Sequence, residues 1–145
     1  MKTVIYIRIA AVLTLIHAVL HTIGGVFGSV SPGPEAVAVA AMKANQFAAM
    51  GNLRTFWDFY MGMGLAVSIF LTMESVVLWL LASLARSRAS QLRPILIIFA
   101  IGYLIFAIDS YRYFFAAPVI TEILISLCLV AAALSARPAK EIAKA

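Results

Sequence analysis

The stretch FYMGMGLAVSIFLTMESVVLWLLASL, from Phe59 to Leu84, carries one charge, Glu74, near its middle. A helix needs about 20 consecutive apolar residues to cross a hydrocarbon core of roughly 30 Å, and this run is longer than that. Three further stretches are of the same kind. One runs from Val4 to Ile23 with Arg8 as its only charge, one from Pro94 to about Ala116, and one from Val119 to Ala136, stopping at Arg137-Pro138. Pro94 suits the first position of a helix. Backbone groups inside lipid must be satisfied within their own segment, so the four stretches read as helices and not strands. The expected fold is all-α, an integral membrane four-helix bundle. It forms a single transmembrane domain over 1–145, with spans at about 4–24, 57–84, 94–116 and 119–136.

Composition agrees. Of the 145 residues, 64% are hydrophobic and 12% charged, and the mean hydropathy is +1.04. Soluble chains are roughly 45–50% apolar and about 25% charged, so a water-soluble fold of this size would lack the polar surface to cover itself. That excludes a cytosolic enzyme, a disulfide-stapled secreted domain and a nucleic-acid partner. Cys128 is the only cysteine, so no intrachain disulfide can form. The first span resembles a signal peptide only in place. Its apolar run is too long and no small-x-small cleavage site follows.

Basic residues set the expected orientation. Lys2, Arg8, Arg86, Arg88, Arg93, Arg137, Lys140 and Lys144 fall on one side of the spans; Lys43, Arg54 and Arg112 fall on the other. The side richer in Lys and Arg is the cytoplasmic one, which puts both termini and the 85–93 turn inside. The segment from Gly28 to Leu53 then lies outside. After Ser31-Pro32-Gly33-Pro34-Glu35 it runs to Met50 without Gly or Pro, and Pro34 and Glu35 suit a first helical turn. A short interfacial helix is expected over about 34–50. Strand-like alternation is not apparent.

Ionisable residues inside a membrane are costly and mark functional candidates. At about 1.5 Å of rise per residue, His17 lies roughly 20 Å and His21 roughly 26 Å above Val4, and Asp109 roughly 22 Å above Pro94. Glu122 starts the fourth span and Asp58 the second, with Arg54, Tyr60 and Arg112 at the same level. His17 and His21 are i and i+4, as are Arg54 and Asp58, so each pair shares a helix face. The expected ligand- or cofactor-binding set is therefore His17, His21, Arg54, Asp58, Tyr60, Asp109, Arg112 and Glu122.

Within that set, His17, His21 and Asp58 make a half-site for zinc or iron. Imidazole and carboxylate together also suit acid–base work on a lipid- or quinone-like substrate. A lone His17 or His21 suits axial ligation of haem or a related pigment. A purely structural reading, a hydrogen-bonded polar cap with an aromatic belt, explains the same residues. Arg8 and Glu74 face away from this set by helical spacing. Glu74 is thus expected to be covered by Arg8 or by a second subunit.

The stretch Arg54-Thr55-Phe56-Trp57-Asp58-Phe59-Tyr60-Met61-Gly62-Met63-Gly64, preceded by His17-x-x-x-His21 and Gly24-Gly25, resembles small bacterial four-helix membrane proteins of the DoxX-like group. The resemblance covers most of the chain. It implies the four-helix architecture and a bacterial inner membrane, whose outer side is the periplasm, but no activity. Four-helix lipid isomerases of the emopamil-binding type are similar only in size and in carrying His and acids within the bundle. The leading expectation is a non-enzymatic binding or accessory subunit in contact with the bilayer, joined to a homo-oligomer or a larger membrane complex. The alternatives are a membrane-embedded enzyme and a haem-, pigment- or metal-binding subunit.

Overall fold

The computed structural model describes residues 1–136. Arg137, Lys140 and Lys144, used above for orientation, lie outside the described residues. Helix α1 spans Lys2–Leu20 and continues as a π-helical turn over His21–Val26. Then follow α2 (Pro34–Ala44), strands β1 (Gln46–Ala49) and β2 (Asn52–Thr55), α3 (Phe56–Tyr113) and α4 (Ala116–Ser135). The stretches Lys2–Val26, Phe56–Tyr113 and Ala116–Ser135 are long and apolar enough to cross a membrane.

Helix α3 contains two of the expected spans. Arg88 has non-helical torsions (φ −131°, ψ 34°). The Tyr103 hydroxyl nevertheless lies 2.7 Å from Glu74 Oε2, 29 positions away. A straight helix would hold them about 40 Å apart, so the chain doubles back at Arg88. Each arm exceeds the about 20 residues a crossing needs. The expected open turn over 85–93 is therefore corrected: helix continues on both sides of Arg88, and Pro94 sits inside the second arm.

The described residues pack as two compact units, one of Met1–His17 with 71–136, the other of Ala18–Phe70. The first unit holds a core of four helical segments. Ile7, Ala10 and Ala11 come from α1, and Leu78, Ala82 and Ala85 from the first arm of α3. Leu92, Leu96, Ala100 and Tyr103 come from its second arm, and Ile125, Leu129, Ala132 and Ala133 from α4. These recur at three- and four-residue spacing, the signature of one buried helix face. Alanine supplies half of them, which lets the helices approach closely. Serines tie the segments together: Ser75 Oγ donates to Ala11 O (2.9 Å), Ser126 Oγ to Ala100 O (2.8 Å), and Thr3 meets Ser135 (2.9 Å). The outward faces are apolar, with Ile9, Val12, Ile16, Ile98, Ile105, Ile108 and Leu127 all exposed.

The second unit differs from the expected single helix over about 34–50. Helix α2 ends at Ala44, and an antiparallel hairpin follows, pairing Gln46 with Thr55 and Ala49 with Asn52. Its two-residue turn is Met50-Gly51, with φ of 48° and 83°. Positive φ at both central positions is the tight turn that matches strand twist. Phe47 sets the face of the hairpin by packing on Phe56 and Phe59, with ring centroids 4.9 and 5.9 Å away. At the close of the π-helical turn Gly28 is required by space, because a Cβ there would run into the Gly24 carbonyl.

Candidate functional site

The polar centre of the first unit is built from α1, the second arm of α3 and α4. His17 and Glu122 are both buried, Glu122 completely. His17 Nε2 lies 3.9 Å from Glu122 Oε1, an ion-pair distance rather than a hydrogen bond. Ser110 Oγ donates to the same oxygen at 2.9 Å. Phe106, one turn before Ser110, lies parallel to the imidazole with centroids 6.1 Å apart. Among the described residues Glu122 Oε2 has no hydrogen-bond partner. A buried acceptor left open is expensive, so this oxygen is where a donor group or a proton gains most.

A second polar line runs beside it. The one hydroxyl hydrogen of Tyr103 goes to Glu74 Oε2 (2.7 Å). The 3.1 Å contact between Thr14 Oγ1 and Tyr103 Oη must then use the Thr14 hydrogen, since a hydroxyl has only one to give. The order is Thr14 to Tyr103 to Glu74, with the carboxylate as terminal acceptor. Arg8 does not cover Glu74 as expected. Its guanidinium lies over the Trp79 ring, 5.0 Å from the centroid, in cation–π geometry.

The remaining expected site residues are used locally. His21 Nε2 lies 3.1 Å from Gly64 O, and since a carbonyl only accepts, that nitrogen carries the proton. Asp58 Oδ2 accepts from Thr55 N (2.8 Å) and Thr55 Oγ1 (3.0 Å), while Asp58 N donates back to Thr55 Oγ1 (3.1 Å). This reciprocal pairing caps the N-terminus of α3. Arg54 donates to the Leu53 carbonyl (2.8 Å) and Tyr60 Oη to Gly25 O (3.1 Å). Asp109 and Arg112 are exposed, and Arg112 lies over Tyr113 at 6.0 Å.

Of the eight expected residues, the structure joins His17 to Glu122, gives His21, Asp58, Arg54, Tyr60 and Arg112 separate partners, and leaves Asp109 on an exposed face. Thr14, Tyr103, Phe106 and Ser110 are additions. The T-x-x-D spacing of Thr55 and Asp58 ahead of an apolar run was the legible sign of a cap. For Tyr103 and Ser110 the sign was their seven-residue spacing, which puts both on one face.

The same geometry bears on the metal reading of His17, His21 and Asp58. No group of three His, Cys, Asp or Glu among the described residues is placed to hold a metal ion, and zinc takes at least three protein ligands. The Nε2 of His17 faces Glu122 and that of His21 is engaged by Gly64. No family model, curated protein or solved structure matches the chain.

Proposed function

We propose that the chain is a small integral membrane protein, a non-enzymatic binding or accessory subunit whose polar site is the His17–Glu122 pair. The observation that carries this reading is the Glu122 carboxylate, fully buried, with Oε2 lacking a hydrogen-bond partner among the described residues. Natural interiors satisfy nearly all such atoms, and an exception in a polar centre is a place for a donor ligand or a partner's polar group. The apolar outward faces of the helices support immersion in a bilayer. The excess of Lys and Arg at one end of the spans supports cytoplasmic termini, with the His17–Glu122 end toward the periplasm of a bacterial inner membrane.

The test has two parts. Alkaline carbonate washing of membranes should leave the protein in the pellet; release into the supernatant overturns the membrane reading. Native mass spectrometry of protein released from lipid nanodiscs should show a bound small molecule or subunit in wild type that is lost in Glu122→Gln. Bare, identical monomers in both would overturn the binding reading.

A further inference from the structure

A groove of about 360 Å³ lies along the α3 hairpin, lined by Glu74, Ile98, Phe99, Gly102, Tyr103 and Phe106. Its size falls within the range of small-molecule sites, roughly 300–1,000 Å³, which are mostly apolar with a few convergent polar groups. Here the polar group is one carboxylate. The Thr14–Tyr103 relay delivers its hydrogens toward Glu74. The ion pair that the described residues show, His17 with Glu122, does not involve it. Glu74 is half-buried, so its carboxyl group is only partly accessible to solvent. Carboxylates at such depth are stable when paired. Beside it stand two phenyl rings, Phe99 and Phe106, whose faces attract cations. Gly102 leaves the groove open, since a Cβ there would meet nothing within 4 Å.

We infer that this groove binds a lipophilic cation, an apolar body bearing one positive charge that pairs with Glu74 while the body lies against Ile98, Phe99 and Phe106. A neutral amphiphile would leave the carboxylate unpaired. The inference rests on the membrane reading only for the route by which the cation arrives. Binding itself belongs to the purified chain and to a site other than Glu122.

The experiment is titration of the full chain in uncharged maltoside detergent with tetraphenylphosphonium, and separately with triphenylmethanol, a neutral donor of similar shape. One equivalent of the phosphonium should bind saturably and the alcohol at least tenfold more weakly. Glu74→Gln should weaken the phosphonium at least tenfold, whereas Glu35→Gln, an exposed acid on α2, should not. Gly102→Leu fills the groove from its open side without touching the core and should abolish binding, so the result does not depend on the Glu74 variant folding. Equal affinity for the alcohol, or unchanged phosphonium binding in both Glu74→Gln and Gly102→Leu, would overturn the inference. Glu122 does not line this groove, although Phe106 is common to both places, so failure here leaves the Glu122 experiment standing.

Discussion

Tyr103 spends its only proton on Glu74 and takes one from Thr14, so removing its oxygen orphans two groups at once. Tyr103→Phe should lower stability by about 1–2 kcal/mol. Helix–helix hydrogen bonds in membrane proteins average only about 0.6 kcal/mol, but leaving a partner unsatisfied costs about 1–3 kcal/mol. Thr14→Val should cost less, and the double variant less than the sum, because Thr14 acts through Tyr103. Thermal unfolding in detergent reads all three; strict additivity would show that the relay is not one unit. The convergence of His17 and Glu122 was legible because depth follows from counting residues along a helix. The partners of Asp58, His21 and Glu74 were not. Depth says nothing about rotation, and each of the three found a nearer partner: a capping threonine, a backbone carbonyl, a tyrosine hydroxyl.

Whole elements were legible where apolar runs are long, which is why α1, both arms of α3 and α4 fall close to their expected spans. The hairpin after α2 escaped notice because its strands have four residues each and include helix-favouring Ala48 and Ala49. What decides it is a two-residue turn at Met50-Gly51, of which Gly51 is the only conspicuous sign, and the docking of Phe47 on α3 outside the hairpin. Met50 has positive φ and is fully exposed, so its side chain supplies no packing to offset the backbone cost. Left-handed torsions cost an L-residue roughly 1–2 kcal/mol, and asparagine tolerates them. Met50→Asn creates the preferred Asn-Gly turn and should strengthen the hairpin by about 1 kcal/mol. Slower amide exchange in β1 and β2 would register this; faster exchange would show that the methionine has a packing role after all.

At the scale of the molecule, many large apolar side chains are exposed, while small and polar residues share the interior with leucine, isoleucine and tyrosine. Half of the hydrophobic core is alanine, while large aliphatic residues such as Ile98 and Ile108 are among the most exposed. That inversion follows from the composition, and it makes topology the property to test. In a Cys128→Ser background, a cysteine at Asn45 should react with an impermeant maleimide from the periplasmic side only. One at Ser87 should react only after the membrane is opened. The reverse pattern would invert the orientation and place the His17–Glu122 pair toward the cytoplasm.

The reversal at Arg88 has a consequence for how such a chain is made. A connection with one non-helical residue leaves no slack between the two arms of α3, and neither arm can settle while the other trails outside. If the chain inserts into a membrane as proposed, the pair would leave the insertion machinery as a single hairpin, after the ribosome has added the second arm. Until then Glu74 travels without Tyr103, and the cost of carrying that acid into lipid falls on whatever shelters the nascent chain.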